Sequence, residues 1–131
     1  MSEKAIQAAI LKAIGARPDV RLWPQRAGAG RALANNQVIR FGIPGCADLS
    51  GIVMGSGRRL EIEVKSDKGR QEPQQKRFQE MIQRFNGIYI LARSVDDAVE
   101  QLEKALNQRP TFPEAACHGR AEAGQSPAAV R

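Results

Sequence analysis

Asp48, Glu63 and Lys65 have the types and spacing for metal-assisted chemistry. Asp48 follows a Gly42-Ile43-Pro44-Gly45 turn, and 14 residues separate it from Glu63, which begins a Glu63-Val64-Lys65 triplet on the next β-like run. That interval holds one strand, a tight reversal and most of a second strand. Side chains alternate faces along a strand, so Glu63 and Lys65 project one way and Val64 the other. Two carboxylates and an amine converging on one sheet surface suit a hard divalent cation and the preparation of a water for attack. Hydrolysis of a phosphate diester needs that combination: the anionic phosphate neutralised, hydroxide generated near neutral pH, and a departing alkoxide stabilised. In this reading Asp48 and Glu63 are carboxylate ligands of Mg²⁺ or Mn²⁺, and the backbone carbonyl of Val64 adds a ligand at the strand edge. Lys65 sits beside the water. A lysine flanked by two carboxylates suits an electrostatic role better than that of general base.

The elements that must position these groups can be read in order. Ser2 caps a helix with Glu3 in its first turn and an apolar stripe of Ala5, Ile6, Ala9, Ile10, Ala13 and Ile14, ended by Gly15. Val20 to Trp23 is a short strand that Pro24 confines to an edge or terminates. Residues 25–37 read as loop, and Val38 to Phe41 as a second short strand. Asp48 to Met54 is a buried strand joined through Gly55-Ser56-Gly57 to Arg59–Lys65, where Leu60, Ile62 and Val64 alternate with Glu61, Glu63 and Lys65. Pro73 opens a helix that is expected to bury Phe78, Met81, Ile82 and Phe85 and to stop at Gly87. Ile88 to Ala92 has the length and composition of a fully buried strand, parallel to the one holding Glu63 if the intervening helix makes a crossover. Ser94 caps a last helix, with Asp96 and Asp97 in its first turn and Val95, Val99, Leu102 and Leu106 inward. The result is an α/β domain built on a central mixed β-sheet flanked by helices, with core order α-β-β-β-α-β-α. From Arg109 onward Pro, Ala and Gly dominate, so residues 109–131 read as a disordered tail after a domain spanning 1–108.

The 131 residues are enough for one self-supporting core. A formal charge of +6 and a pI near 9.9 suit a polyanionic partner. Seventeen basic and 12 acidic residues fall within 1–108, so the ordered part carries most of that excess. A membrane surface is the competing partner, but no basic amphipathic helix with Trp, Phe or Leu on its apolar face is evident, no apolar run reaches transmembrane length, and the N-terminus lacks the plan of a signal peptide. Cys46 and Cys117 have no metal-ligand spacing, and His118 is the single histidine, so neither a zinc site nor a Ser-His-Asp triad is expected. Two free thiols in a cytosolic protein are the simpler reading of the cysteines.

The order Asp, then Glu-x-Lys on the following strand, resembles the PD-(D/E)XK nuclease superfamily through Gly45-Cys46-Ala47-Asp48 and Glu63-Val64-Lys65. Within it the chain is most similar to the VRR-NUC branch, whose stand-alone members are small phage or prophage proteins. The Gly42–Gly45 turn, the segment Gly69 to Gln75 entering a helix that carries Phe78, and Gly87 before the Ile88 strand carry that likeness, which covers residues 2–104 and leaves out the tail. The resemblance implies a restriction-endonuclease-like core and a metal-dependent DNA endonuclease. Asp48 and Glu63 would be metal ligands, Lys65 the catalytic lysine, Glu3 an additional first-helix ligand, and Gln75 the helix glutamine that positions substrate or water. It also implies action as a homodimer on branched or junction DNA in the cytoplasm, that of a bacterial host for a phage-encoded protein, with no small-molecule cofactor. Ala47 stands where the superfamily's name has Pro; that position orients backbone rather than binding metal.

Two further readings follow from the residues. Arg26, Arg31, Arg40, Arg58, Arg59, Lys68, Arg70, Lys76 and Arg77 cluster in and near the loops flanking the three ionic residues and are candidate phosphate contacts. Few aromatics are available for stacking on single strands, which favours backbone contacts to duplex or branched DNA. Glu61 shares a face with Glu63 and could serve as a peripheral ligand, but a salt bridge to Arg58 or Arg59 is its expected role. Taken alone, Glu61, Glu63 and Lys65 also fit an ordinary solvated strand face. The competing function is a non-catalytic basic module that holds nucleic acid within a phage assembly and keeps the fold.

Overall fold

The computed structural model describes residues 1–108; the expected tail at 109–131, with Cys117 and His118, lies outside the described residues. Helix α1 (Glu3–Gly15) starts where the Ser2 hydroxyl accepts from the Ala5 N–H, and it buries Ile6, Ile10 and Ile14. There follow strands β1 (Val20–Pro24), β2 (Gly28–Arg31), β3 (Val38–Phe41), β4 (Leu49–Val53) and β5 (Arg59–Val64), helix α2 (Pro73–Arg84), strand β6 (Ile88–Ala92) and helix α3 (Val95–Asn107). Four strands form a mixed sheet in the order β1-β4-β5-β6. The β1/β4 and β4/β5 pairs are antiparallel, and β5/β6 is parallel through the α2 crossover, with Glu63 opposite Leu91.

The sheet lies between two unequal layers. On one face Leu49, Val53, Leu60, Ile62, Val64, Ile88 and Ile90 meet the inward residues of α1 and α3 in the main core. Arg17, just after α1, ties that layer together by pairing with Asp19 and with Glu103 of α3. On the other face a smaller cluster of Ala47, Phe78, Ile82 and Tyr89 seats α2. Central strand β5 is therefore covered on both sides, and Glu61 and Glu63 are as buried as Leu60, Ile62 and Val64, the apolar residues that alternate with them. The solvated strand face allowed for in the sequence is absent here, because α2 closes over it.

Three local expectations need correction. Residues 28–31 are a strand, not loop, pairing with Val38–Phe41 as a separate two-stranded ribbon. Their Gly-Ala-Gly-Arg composition has no strand signal of its own; only pairing with β3 makes it one. Second, α2 buries Phe78 and Ile82 but leaves Met81 40% and Phe85 80% exposed. Both pairs have helical spacing, and the adjoining 81/85 stripe points past the edge of the small cluster. Third, the helix ends at Arg84, and Asn86 in the left-handed region (φ 66) turns the chain before Gly87.

Candidate active site

Asp48 sits immediately before β4, and its Oδ2 accepts the Val64 N–H at 2.8 Å. This bond fastens the start of one hairpin strand to the end of the other, so the spacing read in the sequence becomes adjacency. Burial pushes the Asp48 carboxyl above its usual range, and the nearby negative charge of Glu3 adds to this; the Val64 N–H and the Lys65 charge oppose it.

Glu63 is 3% exposed, the last glutamate of β5. Its Oε1 accepts from the Gln75 side-chain amide at 2.8 Å and lies 3.4 Å from the Lys65 Nζ. Its Oε2 is buried with no hydrogen-bond partner among the described residues. Burial, and then the negative charge of Asp48, push this carboxyl up to about 7, against the pull of Lys65 and the weaker one of the Asp48 backbone N–H, which lies nearby without forming a well-directed hydrogen bond. An oxygen kept from water without a donor is costly, and such atoms are rare in folded proteins.

Gln75 is oriented from both ends. Its Oε1 accepts the Glu72 N–H at 2.8 Å, as the third residue of α2 reaching back to the cap, which leaves its amide nitrogen to donate to Glu63. The start of α2 is located in turn by Gly45, which has φ +76 and lies so close to Gln74 and Gln75 that a Cβ there would stand 2.4 Å from the Gln74 carbonyl oxygen. Glutamine 75 thus acts on the site through Glu63. Gln75→Ala is expected to lower activity at this site by about 10- to 100-fold, the usual range for losing a group that orients a ligand. Steady-state rates would measure this, with Gln75→Glu tested beside it as a variant that removes the donor but keeps the shape.

Glu3 is held at the outer side. Its Oε1 accepts the Ser66 N–H at 2.9 Å, and its charge is felt at Asp48. The structure therefore brings Asp48, Glu63, Lys65 and Gln75 together with Glu3 at their margin. Among the described residues, no group of three or more His, Cys, Asp or Glu side chains has the arrangement of a ready-made metal cage. Two carboxylates with a free buried oxygen nevertheless suit Mg²⁺ or Mn²⁺, since Mg²⁺ commonly takes one or two carboxylates and completes its shell with water and substrate phosphate.

A cleft of about 790 Å³ opens at Asp48, lined by residues of α1, the base of the ribbon, the Gly45–Asp48 turn and the start of α2. Lys4, Gln7 and Arg26 line it, with Gln75 and Phe41. Lys4 and Gln7 escaped the sequence reading, although Gln7 lies one helical turn after Glu3 and shares its face. Cys46 also lines the cleft; burial pushes its thiol up, and the neighbouring carboxylates add to this, so it is no ready nucleophile.

The basic residues separate into groups. Arg26 lines the cleft, and Arg31 and Arg40 belong to the ribbon. Lys68 lines a separate cavity, and Arg70 and Lys76 are exposed on the loop after β5 and on α2. Arg59 is committed elsewhere, bonded to Glu61 at 2.5 Å and stacked over Trp23, while Arg58 donates to the Asn86 carbonyl. Glu61 has the salt bridge expected of it, and the Ser50 hydroxyl donates to its other oxygen. Arg93, without any signal in the sequence, donates to the carbonyls of Ser66 and Gly69 and so holds the loop that follows Lys65.

Comparison of the chain with protein-family models, with curated proteins and with solved structures gives no match.

Proposed function

We propose that the chain is a metal-dependent endonuclease of the PD-(D/E)XK kind that hydrolyses DNA phosphodiester bonds. One observation carries the reading: the unpartnered, buried Oε2 of Glu63 beside Asp48. A structural role gives no reason to bury a carboxylate beside a second one and leave an oxygen without a well-formed hydrogen bond. A cation ligand does. The non-catalytic alternative has no use for that pair.

Asp48 and Glu63 would hold a Mg²⁺ or Mn²⁺ together with the Val64 carbonyl. When bound, such an ion polarises a phosphate oxygen and lowers the pKa of a water at the site. The remaining work belongs to the chain. Lys65, 3.4 Å from the Glu63 Oε1 and largely buried, offers positive charge to the phosphate as negative charge builds on it. Gln75 fixes the direction of the Glu63 carboxyl. Glu3 and Arg93 fix the backbone just past Lys65, which limits how far that lysine can wander. Arg26 and Lys4 on the cleft wall contribute phosphate contacts.

A homodimer with two such sites and a cytoplasmic location belong to the same reading. No helix among the described residues is long and apolar enough to cross a membrane. The test is cleavage of labelled linear, nicked, flapped and four-way DNAs with Mg²⁺, Mn²⁺ or chelator. Strand scission that requires a divalent ion is the expected result, and the panel reports the preferred DNA shape. Absence of scission on every substrate with either metal would sink the proposal.

A further inference from the structure

The β2–β3 ribbon takes no part in the site chemistry, yet its composition and form are unusual. Between Asp19 and Asp48 the chain has no acidic residue and four arginines, at 21, 26, 31 and 40. The ribbon is antiparallel, pairing Gly28 with Phe41, Ala29 with Arg40, Gly30 with Ile39 and Arg31 with Val38. It joins no strand of the main sheet, and neither of its strands packs closely on a helix among the described residues. All eight of its strand residues are exposed.

Alternation gives the two faces different characters. Arg31 and Arg40 share one face, as diagonal neighbours roughly 7–8 Å apart. Ile39 and Phe41 share the other, above Gly28 and Gly30, and Phe41 also lines the cleft that holds Asp48. The connection is a tight one: the Ala32 carbonyl accepts from Asn36, Asn36 adopts φ 56, and the Asn35 and Gln37 side chains bond to each other. An isolated two-stranded ribbon is marginal in water. A ribbon exposed along both strands is completed by what it lies against, and a surface with arginines and no acid selects a polyanion.

We propose that the β2–β3 ribbon lies in the major groove of duplex DNA beside the cleft, with Arg31 and Arg40 on backbone phosphates. The major groove, about 12 Å wide, admits a two-stranded β-ribbon. With its base at the cleft wall, the ribbon would hold the duplex next to the phosphate that meets Asp48 and Glu63. The inference rests on the reading of the cleft as one that takes DNA, but it does not need cleavage to occur.

The experiment is a binding titration of a labelled 30-base-pair duplex in chelator across a salt series, with dimethyl sulfate footprinting on the same complex. The double variant Arg31→Ala/Arg40→Ala is expected to bind about tenfold or more weakly at low salt, with the slope of log affinity against log salt shallower by about two. Arg31→Lys/Arg40→Lys should keep the wild-type slope. The control Arg84→Ala/Lys104→Ala, which removes the same charge elsewhere, should keep it too. Wild-type protein should protect guanine N7, which faces the major groove, and the alanine pair should not. An unchanged slope in the alanine pair, an equal loss in the control, no N7 protection, or no duplex binding by the wild type would each overturn the inference. Because every arm is run in chelator, normal arginine-dependent binding by a protein that never cleaves would defeat the nuclease reading and leave the ribbon's role standing.

Discussion

Glu63→Gln is expected to abolish cleavage while making the metal-free protein more stable at alkaline pH. The catalytic half follows from losing one of two carboxylates that would hold the ion; a contribution of several kcal/mol corresponds to about three orders of magnitude in rate. Asp48→Asn should show a loss of similar size. The stability half follows from linkage. The Glu63 carboxyl is moved from 4.5 up to about 7 on folding, so the folded state holds its proton more tightly than the unfolded chain does. Its contribution to stability is complete below about 4.5 and is lost as pH rises through about 7, a swing of about 3 kcal/mol. Asp48, shifted in the same direction, adds to the decline. Glutamine keeps the shape, accepts the Gln75 bond and does not titrate. Melting in chelator should therefore show the wild type losing several degrees between pH 5 and pH 8, and the variant losing clearly less. Equal pH dependence in the two proteins would mean that Glu63 does not carry this cost.

Gly45→Ala should be the most damaging substitution of a single methyl group near the site. The residue has φ +76, which alanine adopts only under strain, and the added Cβ would meet the Gln74 oxygen at 2.4 Å and the Gln75 nitrogen at 2.9 Å. Both are backbone atoms of the first turn of α2, so the helix must shift as a whole. The expected cost is about 3 kcal/mol, strain and displacement combined. Activity should fall further than stability explains, because Gln75 leaves Glu63. Gly55→Ala is the matched comparison: it has φ +85 and nothing within 4 Å of the new carbon, so it should cost about 1 kcal/mol and spare activity. Thermal melts and single-turnover rates on the two variants would separate backbone strain from helix displacement.

The sequence disclosed the parts of this fold that carry strong local codes. The β4–β5 hairpin was legible from alternation over Leu60–Val64 and the Gly55-Ser56-Gly57 reversal, and the parallel placement of β6 from the length of the α2 crossover. Strand β2 was not, since Gly-Ala-Gly-Arg is held only by its partner. The facing of α2 was half legible: the 78/82 and 81/85 stripes are alike in sequence, and only the position of Tyr89 and Ala47 decides between them. In the site, adjacency of Asp48, Glu63 and Lys65 followed from spacing and that of Gln75 from the family resemblance alone, whereas the orphaned Oε2 of Glu63 depends on how α2 closes over the sheet. Lys4 and Arg93 come to the site from elements remote in the chain, and no short-range pattern announces such an arrival.

The contacts that build the carboxylate pair also imply an order of events in folding. Asp48 reaches the Val64 N–H across a hairpin, and Gln75 reaches Glu63 12 residues away, whereas Glu3 meets Ser66 across 63. Hairpins close in about 1–10 μs, well before a sheet with a parallel crossover is complete. The two acids are thus neighbours while water still reaches them, and their mutual repulsion grows only when α2 settles over Glu63. Relief of that late repulsion in Glu63→Gln should appear mainly as slower unfolding, with the refolding rate little changed.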